Sequence, residues 1–203
     1  MLYNQSFVLY DKKTESLWVH VTGEARTGPL KGKRLAFYPS VVVTWKEWKV
    51  AHPATLVMKG EKRGDFMGTF QGTSDRARDE FGLSVAIEGN AKLYRFSDVA
   101  RQGVVNDSFG DVPTLLVYSA VRNGAVVFTR RVDGQVTEFE GGEADATGYP
   151  VLCDRATGST WNGLTGSKIS GPAKTERLEP LPGTPILVAR WRAFFPEGEV
   201  YAP

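Results

Sequence analysis

The chain has 203 residues, one cysteine and a formal net charge of +2. A single cysteine permits no intrachain disulfide, which excludes a small secreted protein held together by disulfides. The near-neutral charge argues against a dedicated nucleic-acid-binding protein, in which basic residues are in excess and clustered. With 41% hydrophobic and 24% charged residues, the composition is that of a globular protein, and extensive disorder is not expected.

The sequence offers no candidate for a membrane segment. As written, the chain opens without the basic and apolar regions of a signal peptide. Its apolar runs, such as residues 41–43 and 115–118, are far shorter than the about 20 residues that a transmembrane helix needs. We therefore expect no membrane span. We expect an extracytoplasmic protein if the N-terminus is truncated, and a cytoplasmic one otherwise.

The first predicted elements are a β-hairpin and a short helix. Residues 8–11 and 16–21 read as strands joined by a polar turn. Thr44 and Glu47 have the spacing of a capping box, which predicts a helix that begins after Thr44. The helix is expected to run to about Ala51, because a residue before proline disfavours the helical conformation.

Residues 59–82 are predicted to form a linker, since they contain five glycines and ten charged residues without a clear period. The remaining chain alternates between short strands and turns, and Asp133-Gly134 is a strong hairpin signal. A short helix is predicted over residues 96–102. The whole pattern predicts a mainly β fold with short helices, arranged as barrel-like or sandwich-like units.

An internal repeat is the strongest signal in the sequence. Residues 8–57 align without a gap to residues 151–200, with 17 identities in 50 positions. Trp18 matches Trp161, and the pair Gly28-Pro29 matches Gly171-Pro172. Such self-similarity at a fixed offset indicates a duplication. We therefore expect both copies to form the same hairpin, turn and helix, with the two tryptophans largely buried.

The repeat also predicts the domain organisation. The second copy is preceded by β-patterned sequence, and the first is not. We therefore interpret residues 1–58 as the C-terminal half of a first repeat, residues 59–82 as the linker and residues 83–203 as a complete second repeat. On this interpretation the first unit is incomplete.

Six segments carry a resemblance to a known family: LYDKKTESLW, TGEARTGPLKGKRL, TWKEWKVAHPATLV, VVND, VVFTRRVDG and TGSTWN. Together they resemble the bacterial and archaeal domain of unknown function 3179 (DUF3179) over nearly the whole chain. The resemblance implies a duplicated protein without an established activity, and many such proteins are exported.

This chain departs from the family pattern at one place. The resemblance implies two cysteines at the positions of Ser119 and Arg122, and a histidine near Gln102. Thiolates and imidazoles bind soft and borderline metals, but the residues present here do not. If relatives have such a site, this chain lacks it.

Seven residues are candidates for ligand binding: Asp11, Trp18, Asn106, Asp107, Arg130, Asp154 and Trp161. One interpretation is structural, as caps of turns and as core packing; the other is a ligand cleft lined by aromatic side chains between the repeats. His20 and His52 are too few for a metal site, so no metal and no cofactor are predicted. Cys153 lies in a predicted strand, where we expect a buried, unreactive thiol.

Three hypotheses for function follow. The first is a non-catalytic scaffold or ligand-binding module with an unknown small molecule or protein as partner. The second is a fragment of a metal- or thiol-dependent enzyme whose active half lies upstream of residue 1. The third is a protein–protein interaction module that self-associates through unpaired strand edges. Whether the protein is an enzyme stays open, and a non-catalytic role is favoured for this chain.

Overall fold

The computed structural model describes residues 2–4, 6–57 and 80–203. The first part of the chain forms a four-stranded antiparallel sheet in chain order, followed by a helix. These elements are β1 (Leu2–Tyr3), β2 (Ser6–Asp11), β3 (Ser16–Val19), β4 (Ala25–Thr27) and α1 (Trp45–Ala51).

The second part of the chain contains four small sheets and two short helices. Its elements are, in chain order, β5 (Phe81–Ile87), β6 (Asn90–Arg95), α2 (Phe96–Val99), β7 (Val104–Phe109), β8 (Val112–Ser119), β9 (Gly124–Thr129), β10 (Arg131–Val132), β11 (Gln135–Val136), β12 (Phe139–Ala144), β13 (Pro150–Asp154), β14 (Thr160–Asn162), β15 (Lys168–Ser170), β16 (Gly183–Leu187), α3 (Val188–Phe194) and β17 (Glu199–Val200).

The sheets are β7-β8-β9, β12-β13-β14-β15, the hairpin β10-β11, and the mixed sheet β16-β5-β6-β17, in which β17 runs parallel to β6. The predicted mainly β fold with short helices is confirmed. Across the described ranges the sheets stay small, and none closes into a barrel.

The two copies of the repeat have the same local structure. At an offset of 143 residues, β4 coincides with β15 and α1 with α3. The isolated bridge between Glu24 and Arg34 recurs between Ser167 and Arg177. Trp18 and Trp161 are both buried. The prediction that both copies form the same hairpin, turn and helix is therefore confirmed.

Two local predictions rest on well-understood chemistry and are also confirmed. The Thr44 hydroxyl accepts a hydrogen bond from the N–H of Glu47 at 3.3 Å, and the Glu47 carboxylate accepts one from the N–H of Thr44 at 2.9 Å. This is the reciprocal capping box that was expected. Asp133 and Gly134 both have positive φ, 50° and 80°, as a two-residue hairpin turn requires.

The main core lies between two sheets packed face to face. Leu115 and Phe128 of the β7-β8-β9 sheet meet Leu152 and Trp161 of the β12-β15 sheet there. The opposite face of β8 contributes Leu116 to a second cluster, with residues of β5 and β6. Because both of its faces are buried, β8 has a continuous apolar run instead of an alternating pattern.

The predicted linker, residues 59–82, lies outside the described residues except at its C-terminal end, where Phe81 and Gly82 belong to β5. The predicted helix over 96–102 is shorter than expected, since α2 ends at Val99.

The expectation for Cys153 is wrong, because this thiol is exposed. Side chains alternate between the two faces of a strand. On β13, Leu152 and Asp154 point into the core with no exposed surface. Cys153 therefore points to the solvent.

Candidate ligand-binding site

Asp154 and Trp161 form one internally satisfied unit. The Asp154 carboxylate accepts hydrogen bonds from the N–H of Thr157 at 2.7 Å, the hydroxyl of Thr157 at 2.8 Å and the indole N–H of Trp161 at 3.0 Å. Both residues are fully buried. A buried carboxylate needs such donors, so the motif closes the turn between β13 and β14.

Asp11 closes the equivalent turn in the first copy. Its carboxylate accepts hydrogen bonds from the Thr14 hydroxyl at 2.5 Å and the N–H of Lys13 at 2.9 Å. These two bonds, the one from Thr14 first, lower the pKa of Asp11 below its ordinary value. Trp18 lies on β3, the next strand of the same hairpin.

Asn106 joins two sheets. Its amide donates to the carbonyl of Phe139 at 2.9 Å and accepts from the N–H of Phe139 at 2.8 Å, as a neighbouring strand would. Phe139 in turn makes an edge contact with Trp161, with ring centroids 6.5 Å apart. Asn106 therefore ties β7 to the core around Trp161.

Asp107 lies at the centre of a polar cluster on β6 and β7. Its carboxylate pairs with the Lys92 ammonium at 2.7 Å and accepts from the Tyr94 hydroxyl at 2.9 Å. Burial, and then the negative charge of Asp107, raises the pKa of Tyr94. Arg130 donates from Nε to the backbone carbonyl of Asp107 at 2.9 Å. The structure thus brings Asn106, Asp107 and Arg130 together.

These contacts satisfy the polar side-chain groups of six of the seven candidates within the protein itself, the exception being Trp18, which is buried. Asp11 and Trp18 lie in the first sheet. The other five lie in the second part of the chain, on or between strands β7 to β14. Their role in ligand binding stays a prediction, since the contacts fit the structural interpretation without a ligand.

Helix α1 of the first copy packs against the second repeat, residues 83–203, through an ion pair that the sequence did not reveal. The buried Glu47 carboxylate pairs with the guanidinium of Arg122. The Arg122 N–H donates to the hydroxyl of Ser119 at 3.2 Å, and that hydroxyl donates to the carbonyl of Gly148. Burial, and then the charge of Glu47, raises the pKa of nearby Tyr149. Arg122 therefore links the two parts of the chain, and Ser119 holds the backbone of Arg122 in place.

A cleft lies between residues 39–52 of the first copy and a wall of the second repeat that includes strand β9. Its volume is about 500 Å³, in the range of small-molecule sites. The lining residues include Pro39, Ser40, Val41, Trp48, His52, Val126, Phe128, Leu164, Thr165, Arg177, Pro180 and Leu181. The walls are predominantly apolar, which is typical of ligand pockets.

The aromatic wall of the cleft is held in place by α1. The rings of Trp48 and His52 pack with centroids 4.1 Å apart and an angle of 38° between their planes. The indole N–H of Trp48 donates to the Thr55 hydroxyl at 2.8 Å. His52 thus packs beside Trp48 at the end of α1. That this pair lines a cleft was missed, because the opposite wall lies more than seventy residues away in sequence.

The charge in the cleft comes from Arg177. Its Nε donates to the carbonyl of Thr165 at 2.9 Å, which fixes the guanidinium at the wall. Within the described part of the chain, its two Nη groups make no hydrogen bond or ion pair, and no carboxylate lines the cleft. Arg34, the residue at the equivalent position of the first copy, lines two other cavities, and there it pairs with Glu24 at 3.5 Å.

No three His, Cys, Asp or Glu side chains in the described ranges lie close enough to share a metal ion. In the same ranges, no helix is both long and apolar enough to cross a membrane.

Comparison with known proteins gives one family. Its sequence model, described as a protein of unknown function (DUF3179), matches residues 1–71 and 68–203. The two matches overlap only at residues 68–71 and are consistent with the internal repeat. No curated protein and no solved structure matches the chain. Since the two matches span the chain, the protein belongs to the DUF3179 family, whose function is unknown.

Proposed function

We propose that this chain is a non-catalytic ligand-binding module, and that its ligand is a small amphipathic carboxylate held in the cleft between the two copies. The observation that carries the proposal is an apolar cleft with a fixed guanidinium whose Nη groups have no partner among the described residues. An apolar ligand body fits walls formed by Phe128, Leu164 and Pro180.

The charge of the lining residues favours an anion. Arg177 contributes a permanent positive charge, and its Nη groups can donate two hydrogen bonds to a carboxylate. The imidazole of His52, on the opposite wall, can add a third donor when protonated. A neutral ligand of the same shape would lack these charge-assisted hydrogen bonds.

Binding is favoured over catalysis by the chemistry of the same walls. Acid–base and nucleophilic catalysis require paired groups, such as a base beside a nucleophile. The described lining residues present one imidazole with a tryptophan ring packed against it. A small molecule is favoured over nucleic acid because the net charge is only +2 and the concave site is small.

The test measures binding of matched probes by thermal shift and by tryptophan fluorescence. Indole-3-acetate and 4-phenylbutyrate, with their neutral amides, provide carboxylates and uncharged analogues of the same shape. We expect the carboxylates to raise the unfolding temperature and the amides to have little effect. The absence of a shift with every carboxylate at millimolar concentration would contradict the proposal.

Two pairs of variants locate the site. Arg177→Gln should weaken carboxylate binding at least about tenfold, the loss expected for charge-assisted hydrogen bonds. Arg34→Gln is its control, since Arg34 holds the equivalent repeat position but lies near Glu24, 3.5 Å away. Trp48→Phe should reduce the fluorescence response, whereas Trp45→Phe on the same helix should preserve it. Equal effects within either pair would argue against this cleft.

A further inference from the structure

A second cavity lies beside the ligand cleft, and we call it the side cavity. Its volume is about 690 Å³. The lining includes Leu35 and Phe37 from the first copy and Ile87, Leu181 and Phe195 from the second repeat. Leu181 also lines the cleft. The two cavities therefore adjoin at this residue.

The same two stretches of chain line both cavities. In the first copy, Leu35 and Phe37 line the side cavity, and residues 39–41 line the cleft. In the second repeat, Pro182 lines the side cavity, and Pro180 lines the cleft. Each stretch thus passes from one cavity to the other within a few residues. The cleft and the side cavity therefore lie end to end along these stretches, as one elongated space.

Contacts within each part of the chain hold the apolar lining of the side cavity in place. The N–H of Leu35 donates to the carbonyl of Gly23 at 2.9 Å. The Phe37 ring lies against Gly23, where an added Cβ would be 3.3 Å from the Phe37 Cε2. In the second repeat, the rings of Phe195 and Trp191 pack with centroids 5.6 Å apart. The side cavity is thus preformed, which lowers the entropic cost of binding a ligand there.

The two cavities differ in the charge that they offer a ligand. Arg177, in the cleft, has Nη groups without a partner in the described part of the chain. Arg34, in the side cavity, pairs with Glu24 at 3.5 Å and has 51% of its side chain exposed. The other charged residue in the described lining of the side cavity is Glu88. A carboxylate there would compete with Glu24 and face a like charge, so an anionic end is favoured in the cleft and an uncharged end in the side cavity.

We propose that the ligand is a long-chain, unbranched carboxylate, such as a saturated fatty acid. Its carboxylate pairs with Arg177, and its alkyl chain passes Leu181 into the side cavity. This inference rests on the proposed function and names the ligand class of that site. The cleft and the side cavity measure about 500 and 690 Å³, so together they exceed the ~1,000 Å³ of the largest typical small-molecule sites. A compact carboxylate would leave the apolar lining of the side cavity uncovered.

Isothermal titration calorimetry with a series of unbranched carboxylates tests the proposal on the unmodified chain. Hexanoate, octanoate, decanoate and dodecanoate, each below its micelle concentration, share one head group and differ in chain length. We expect the affinity to rise about two- to fourfold for each added methylene, because each one buries further apolar surface. If hexanoate binds and dodecanoate binds no more tightly, the inference is wrong while the proposed function stands. If no carboxylate of this series and neither aromatic carboxylate binds, the proposed function fails and the inference fails with it.

A pair of variants separates the side cavity from the rest of the surface. Leu35→Trp fills part of the side cavity, so it should weaken dodecanoate binding at least about tenfold and change 4-phenylbutyrate binding less than about twofold. Leu9→Trp is the matched control and should change neither, because Leu9 is equally exposed, 48% against 47%, and is not among the described residues that line the two cavities. Equal effects of the two variants on dodecanoate, or an equal loss of both ligands in Leu35→Trp, would contradict the proposal.

Competition locates the head group of the long-chain ligand. Since both carboxylates pair with Arg177 under the proposal, a saturating concentration of dodecanoate should abolish the binding of 4-phenylbutyrate. Arg177→Gln should weaken both ligands at least about tenfold, whereas Leu35→Trp should weaken only the longer one. Simultaneous binding of the two carboxylates, or dodecanoate binding that Arg177→Gln leaves unchanged, would place the alkyl chain elsewhere and overturn the proposal.

Discussion

Leu9 and Leu152 are the same residue at the same position of the repeat, so substituting each by alanine measures how strongly the environment sets its contribution. Leu152 is fully buried in the main core. The substitution Leu152→Ala removes three carbons, and with them about 2.4 kcal/mol of transfer free energy. The cavity left behind adds to this, and buried Leu→Ala changes cost about 3–5 kcal/mol.

The substitution Leu9→Ala should lower the free energy of unfolding much less. With 48% of its surface already in water, Leu9→Ala loses only about half of the transfer free energy, about 1 kcal/mol. No closed cavity forms, because the site is open to solvent. The free energy of unfolding should therefore fall about three times further for Leu152→Ala than for Leu9→Ala.

The measurement is urea denaturation followed by tryptophan fluorescence and circular dichroism. Unchanged m-values would show that both variants unfold from the same native state. If the two losses agree within about 0.5 kcal/mol, or if Leu9→Ala costs more, the first sheet is not open as described.

Two further predictions concern turns. Gly171 has a φ of +107°, and a Cβ added there would lie 2.5 Å from the Cα of the buried Ser159. Gly158 has a φ of +70°, and a Cβ added there would meet only open space. Gly158→Ala should therefore cost about 1–2 kcal/mol for backbone strain alone and Gly171→Ala clearly more, as measured by thermal unfolding. The N–H groups of Lys174 and Thr175 hold the pKa of Asp133 below its ordinary value of 3.8. This carboxylate thus stabilises the fold above that pH, and the contribution is lost as pH falls through the folded pKa. Asp133→Asn should flatten this part of the acid dependence of stability; an unchanged acid dependence would contradict the assignment.

Short-range chemistry explains why so much of the local structure could be predicted. The capping box at Thr44 and Glu47, and the turn at Asp133 and Gly134, involve residues at most three positions apart. Their geometry depends on backbone conformation and on nearby donors, which sequence spacing determines. The repeat predicted the same strand and helix in the second copy, where β15 and α3 lie at the expected offset.

Long-range packing explains what was missed. Glu47 was recognised as a capping residue, but its second carboxylate oxygen pairs with Arg122, 75 residues away along the chain. The cleft likewise combines Trp48 and His52 with Arg177. Nothing in the local sequence of either segment specifies the other as its neighbour. Cys153 shows the same limit on a smaller scale, since strand alternation permits either face and only the sheet beside it decides which is buried.

The duplication has therefore produced two surroundings for one structural motif. In the second copy, the hairpin and helix complete a core with the sheets β5-β6 and β7-β8-β9, and Leu152, Leu178 and Trp191 have no exposed surface. In the first copy, the same fold presents its leucines to solvent and turns Trp48 toward a cleft shared with the second. The proposed ligand site follows from this asymmetry, because the cleft forms where residues 39–52 of the first copy lie against the second repeat.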